Sequence, residues 1–353
     1  MRTVKDDSAT GATGADAADA GRVGVAGLDR VPPDRALPDR VPLVGLIRNP
    51  RSHRNKGQPP EMDGHPNVLT QSPRSHAALR EVLKGYAARG IDYLAVDGGD
   101  GTVRDVLTCG EDLFGDAWPT LIILPKGKTN ALTVDLGLPN RWSLPEALVA
   151  AEAGGRVIRR PLRVTPRNGE GRPVLGFFLG AGAFTLGTEA GQEAHRLGAF
   201  NSFAVGLIIL WTIVQILFGR ASNPWRACTP MQLIDVDTGR TLPHSRHGQP
   251  GERFFMVATM FEKFPLGVRP FGPNPPAGLK IGLIDWPLRR LIALLPTVLL
   301  GLFPGFVARN GAHRVPVRAV EMEMGGKFII DGEAYDPGSY LLDEGPALSF
   351  VVP

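Results

Sequence analysis

The sequence predicts an α/β protein in two parts: a parallel sheet with crossover helices, then an antiparallel, β-sandwich-like half. Three observations carry that prediction. Between Val41 and Gly155 short apolar runs alternate with amphipathic segments, as in successive βαβ units. Beyond Gly155 short β-type runs separated by turn residues take over. Gly (44) and Pro (32) are abundant in the 353 residues and supply turns for both parts. A hydrophobic share of 43% with 21% charged residues excludes a wholly disordered chain, a coiled coil and a collagen-like fibre.

In order, residues 1–40 read as a disordered tail rich in Ala, Gly, Asp, Arg and Pro. No apolar region follows the charged start, so no secretory leader is expected. Residues 41–155 form the first domain. Pro42 to Asn49 reads as a buried strand running into the basic loop Asn49 to Gly57. Ser72 can cap a helix with Pro73 at its first position. Leu79, Val82, Leu83, Tyr86 and Ala87 give that helix one apolar stripe, and Gly90 stops it. A strand Tyr93–Val96, a helix from Val103 to about Cys109, a strand Thr120–Leu124 and a helix Ser143–Ala153 follow. Residues 156–353 form the second domain, with strands at Val157–Val164, Val174–Phe178, Met231–Val236, Phe254–Met260, Leu279–Ile284, Ala319–Met324, Lys327–Ile330 and Leu348–Val352.

Two cysteines, Cys109 and Cys228, exclude a disulfide framework and a four-thiolate zinc site and fit a reducing compartment. A net charge of +4 does not by itself imply nucleic acid, and no nucleic-acid partner is expected.

The strongest local signal is Gly98-Gly99-Asp100-Gly101-Thr102, a glycine turn between a buried strand and a helix. Glycines let a ligand approach the backbone, and a helix start offers unpaired N–H groups, so the turn suits a phosphate. Asp100 would repel a phosphate unless it handles a proton or a metal. A second turn, Pro125 to Ala131 with Lys126 and Lys128, follows the next strand. In a parallel sheet both turns lie at the carboxyl ends of strands, where α/β folds bind ligands. The loop with Arg48, Asn49, Arg51, Arg54 and Lys56 leaves the same edge, which predicts an electropositive crevice for a polyphosphate.

These residues resemble the diacylglycerol kinase catalytic-domain family, which includes bacterial soluble lipid kinases and sphingosine kinases, with NAD kinases as distant relatives. The resemblance lies in Asn49-Pro50-x-Ser52, in the Gly98–Thr102 turn with Asp105 where the family usually has Glu, in Pro125-x-Gly127-x-x-Asn130-Ala131-Leu132, and in Asp331-Gly332-Glu333. It implies a nucleotide-binding parallel-sheet domain beside an antiparallel sandwich-like domain, with ATP in the cleft. It implies Asn49, Ser52, Gly98, Gly99, Gly101, Thr102, Lys126 and Asn130 around the nucleotide, and Asp100 and Glu333 at the reacting hydroxyl. The expected activity is ATP-dependent phosphorylation of a membrane lipid, diacylglycerol to phosphatidate, with Mg²⁺ arriving with ATP. The alternatives are an NAD-kinase-like small-molecule kinase and a catalytically silent lipid-binding homologue. Lys128 and Thr129 depart from the family's small hydroxyl residues. The acidic motif that bacterial members link to a structural Mg²⁺ reads Asn274 to Lys280 here, without carboxylates, so no structural metal is expected.

Two apolar stretches, Phe203–Phe218 and Leu288–Val307, read either as core helices or as helices dipping into a bilayer surface. Trp211, Trp225 and Trp286 would suit that interface, and His195 could line a headgroup path. The expected location is cytoplasmic, peripheral at the inner face of the membrane.

Overall fold

A computed structural model describes residues 41–188, 214–215, 218–220, 222–303 and 305–353. The tail 1–40, His195, Trp211 and most of Phe203–Phe218 lie outside the described residues.

The first sheet is built from β1 (Val44–Arg48), β2 (Val68–Gln71), β3 (Tyr93–Gly98) and β4 (Thr120–Pro125). These strands run parallel in the order β2-β1-β3-β4. β1 and β3 are buried at every position, as strands covered on both faces must be. The helices are α1 (His76–Arg89), α2 (Asp100–Phe114), α3 (Ala131–Leu136) and α4 (Leu144–Glu152). The first begins three residues later than expected. Ser75, not Ser72, is its cap, accepting from the Ala78 N–H at 3.2 Å. Leu79, Leu83 and Tyr86 form its buried face, and Gly90 ends it in the left-handed region at φ 61°. α2 begins at Asp100 rather than Val103, because the Gly99 carbonyl already accepts from Thr102 and Val103.

The expected run Val157–Val164 is two strands, β5 (Arg156–Arg159) and β6 (Leu162–Pro166), broken at Arg160-Pro161. Val174–Phe178 likewise divides into β7 (Val174–Gly176) and β8 (Phe178–Gly182). The remaining strands are β9 (Thr229–Asp235), β10 (Glu252–Arg253), β11 (Phe255–Thr259), β12 (Leu279–Ile284), β13 (Ala312–Val317), β14 (Ala319–Met324), β15 (Phe328–Ile330), β16 (Glu333–Tyr335), β17 (Gly338–Glu344) and β18 (Leu348–Val351). All of these but β18 join β6, β7 and β8 in two antiparallel sheets, β10-β9-β14-β17-β6-β7 and β13-β12-β11-β8-β15-β16. Phe328 of one meets Tyr340 of the other edge-on, with centroids 4.9 Å apart, and one buried core runs through all three sheets.

Two strands read among the second-half strands fall elsewhere than expected: β5 and β18 both belong to the first sheet. β18, read from the sequence among the second-half strands, joins the first sheet. It runs parallel to β4 and antiparallel to β5, completing the order β2-β1-β3-β4-β18-β5. Its residues Leu348, Phe350 and Val351 are buried, and the sequence holds no local sign of which sheet they complete. Leu288–Val307 is neither one core helix nor one interfacial helix. It contains three short helices, α5 (Arg289–Ala293), α6 (Leu295–Leu299) and α7 (Gly305–Arg309). Among the described residues no helix is long and apolar enough to cross a membrane.

Candidate active site

β1, β3 and β4 end at one rim, in register: Arg48 lies opposite Asp97 and Gly98 opposite Pro125. The two glycine turns leave that rim in backbone contact. A Cβ added to Gly99 would lie 2.9 Å from the Gly127 Cα, and one added to Gly127 would lie 2.7 Å from the Gly99 Cα. No L side chain fits at that approach.

Asp100 joins the turns. Its carboxylate accepts from the Ala131 N–H at 3.0 Å and the Leu132 N–H at 3.3 Å, at the start of α3. Burial pushes its pKa up, and these backbone donors oppose the shift. Asn130 closes the second turn in the left-handed region at φ 50°. Its side chain accepts from the Gly127 N–H at 2.8 Å and donates to the Gly127 carbonyl at 3.1 Å. Asn49 Nδ2 donates to Thr102 Oγ1 at 3.0 Å, linking the first loop to the first glycine turn. Ser52 shapes that loop: its N–H donates to the Asn49 carbonyl and its carbonyl accepts from Asn55. A cleft of about 680 Å³ opens on the α1 side of the first turn, lined by Asn49, Arg51, Ser75, His76, Thr102 and Asp105 among others; Asp100, Gly127, Asn130 and Glu333 do not line it. That volume is of small-molecule size.

The second half reaches this rim through Asp331-Gly332-Glu333, the turn between β15 and β16. Arg104, buried on α2, holds it by donating to the Ile330 carbonyl at 3.2 Å, and a guanidinium nitrogen lies 3.6 Å from Glu333 Oε2. Glu333 itself is largely exposed. Asp331 is half-buried, sits at φ 43°, and accepts from the Phe177 and Phe178 N–H groups at 2.9 and 3.0 Å. Burial, with the nearby Asp100 charge adding, pushes its pKa up to about 7. Sequence reasoning passed over Asp331 and Arg104 as site residues. The motif contains Asp331, but its role depends on amides more than 150 residues earlier in the chain.

Of the basic residues expected to face a polyphosphate, Arg48 is buried and Lys126 half-buried, while Arg51, Arg54, Lys56 and Lys128 are exposed. Arg48 donates to Asp97 at 3.2 Å and to the Asn55 and Gln58 carbonyls. Arg54 donates to the Pro125 and Asn140 carbonyls. Lys126 Nζ lies 2.5 Å from Glu61, whose other oxygen accepts from the Leu144 N–H at 2.6 Å. Arg51 and Lys56 remain exposed on the loop.

The structural Mg²⁺ of bacterial family members does not fit the residues present. The stretch Asn274–Lys280 carries no carboxylate. The buried Lys280 ammonium donates to the Pro276 carbonyl at 3.3 Å and the Gly278 carbonyl at 2.7 Å, so the chain's own cation takes oxygens a hard metal would need. Burial pushes Lys280 down, and Glu262, Asp135 and Glu344 oppose that shift.

Residues 61–159 match the family model described as the diacylglycerol kinase catalytic domain. No curated protein matches the chain. Among solved structures, a diacylglycerol kinase from Bacillus anthracis str. Sterne aligns with a TM-score of 0.59 at 17% identity, covering 88% of this chain and 97% of that one. Two further structures from that organism give the same TM-score and coverage at 17% and 16% identity. The resemblance read from the motifs is thus borne out over residues 61–159, and the two-part α/β fold over most of the chain.

Proposed function

We propose that this chain is a lipid kinase that transfers the γ-phosphoryl group of ATP to a hydroxyl of a membrane lipid, with diacylglycerol as acceptor and phosphatidate as product. The observation that carries this reading is the backbone contact of Gly99 with Gly127, with Asp100 fastening one turn to the other. Phosphoryl transfer needs positioning and charge stabilisation more than covalent chemistry, and preset backbone turns supply positioning. Asn49, Ser52, Thr102, Asn130 and the glycines 98, 99 and 101 would surround the phosphates. Lys126 would join them only by leaving Glu61.

Among the described residues no three His, Cys, Asp or Glu side chains gather to hold a metal alone. Mg²⁺ would therefore share phosphate oxygens with Asp100 or Glu333, neutralising charge on the transferring group. Asp100 would accept the lipid hydroxyl proton as the new O–P bond forms and the bond to the ADP oxygen breaks. Its raised pKa moves it towards the range of a working base. Burial, with the Asp100 charge adding, favours the neutral form of Asp331, which limits the negative charge facing it. Glu333, held beside Arg104, would orient the acceptor.

The test is radiolabelled ATP with diacylglycerol in detergent micelles against NAD in solution. Asp100→Asn should lower turnover by about 10³-fold and leave the ATP Kd within about threefold. Label transferred only to NAD, or undiminished turnover of Asp100→Asn, would sink the assignment.

A further inference from the structure

The stretch from Trp286 to Val320 holds five arginines (Arg289, Arg290, Arg309, Arg314 and Arg318) and no Asp or Glu. Most of it is an arm, α5 to α7, rising where β12 ends at Ile284 and β13 begins at Ala312. Its inner face is packed: Leu291, Ile292 and Val307 are buried with Ala183, Phe254, Ile284 and Ala312. Arg314 fixes it from below, donating to the Val298 carbonyl at 3.1 Å and lying 4.2 Å over the Phe303 ring.

The outer face is different. Leu299, Leu300, Leu302 and Phe306 are 41%, 74%, 62% and 40% exposed. Arg289, Arg290 and Arg309 are exposed on the same arm, and exposed Arg269 is joined to it through its N–H on the Leu299 carbonyl at 2.6 Å. Arg226 gathers at the base of the arm, where burial and the Arg289 charge hold its pKa down. Folding has left large apolar side chains in water beside cations held close to one another, which invites an occupant both apolar and anionic. A second copy of this chain fits poorly, because a two-fold contact would set this acid-free surface against its own like charges. A phospholipid surface supplies acyl chains and phosphates at the depths that leucine and arginine tips reach.

We propose that the outer face of the arm, Leu299 at the end of α6, Leu300 and Leu302 just after it and Phe306 on α7, flanked by Arg269, Arg289, Arg290 and Arg309, docks the protein on an anionic bilayer. The apolar side chains enter the acyl boundary and the guanidiniums lie at phosphate level. This deepens the lipid-kinase reading, which gives the protein its reason to meet a membrane.

The test is co-sedimentation of the full chain with phosphatidylcholine vesicles, with and without phosphatidylglycerol, beside diacylglycerol phosphorylation in non-ionic detergent micelles. The wild type should bind the anionic vesicles far better and release them in high salt. Arg290→Ser with Arg309→Ser should weaken binding about 30-fold, roughly fivefold per charge. Leu300→Ser with Leu302→Ser should also release the protein, and both variants should keep the wild-type Tm and micelle activity. Equal binding to neutral vesicles, variants that bind like the wild type, or a change of oligomeric state in place of vesicle binding would overturn the docking face. Vesicle binding without micelle activity would sink the kinase reading and leave the docking face standing.

Discussion

The sheet rim and the α5–α7 arm are both rich in basic residues, and they use them in opposite ways. At the rim buried Arg48, half-buried Lys126 and exposed Arg54 are all spent on the protein itself, on Asp97, Glu61 and backbone carbonyls. On the arm Arg289, Arg290 and Arg309 point outward, on a stretch without an acidic residue. The rim is a place where backbone has to be held in an exact shape. A guanidinium with several donors is well suited to fastening loops that have no ladder of their own. The arm is already folded by its leucines and by Arg314, so its remaining cations are free of that task. Positive charge beside a phosphate-type turn therefore says little about phosphate until its partners are known.

The comparison breaks most readily at Arg48. Arg48→Met leaves Asp97 buried without its cation and should cost about 3–5 kcal/mol, read as a fall in denaturation midpoint. Burial already holds Asp97 above the usual carboxylate range, and losing Arg48 raises it further. The folded state then keeps a proton that the unfolded chain releases, so stability falls as pH rises and the deficit is larger at pH 8 than at pH 5. ATP affinity lost without any stability change would show that Arg48 serves the nucleotide after all. The same logic extends to Lys280. Lys280→Met strands the Pro276 and Gly278 carbonyls and should cost about 1–3 kcal/mol. The wild-type Tm should be indifferent to EDTA or Mg²⁺ without nucleotide, and a Mg²⁺-dependent rise would refute the lysine's place in that loop. The smallest effect is expected at Lys126. Lys126→Met should cost about 1 kcal/mol of stability and change the ATP Kd by less than about threefold. A larger loss of affinity would return Lys126 to the phosphates and soften the contrast between rim and arm.

Much of this architecture was legible in the chain. Buried parallel strands such as Tyr93–Gly98 announce themselves as unbroken apolar runs, and the glycine turns by composition. What escaped was set by distant partners. The helix cap moved from Ser72 to Ser75 because competing serines lie three residues apart and only packing chooses between them. Val157–Val164 looked continuous, although Pro161 marks the point where the chain passes between sheets. Glu333 drew notice as an acid in a motif, but the carboxylate whose pKa is raised, by burial first and then by Asp100, is Asp331, held by the amides of Phe177 and Phe178. The inward turn of Lys126 needed Glu61, a residue with no signature of its own.

The placement of β18 carries a consequence for how the molecule is made. The strand that separates β4 from β5 is synthesised long after both, so a ribosome that has finished the glycine turns still leaves an open edge beside β4. The first sheet is complete only when residues 348–351 emerge. A chain without residues 348–351 would leave β4 and β5 with no strand between them.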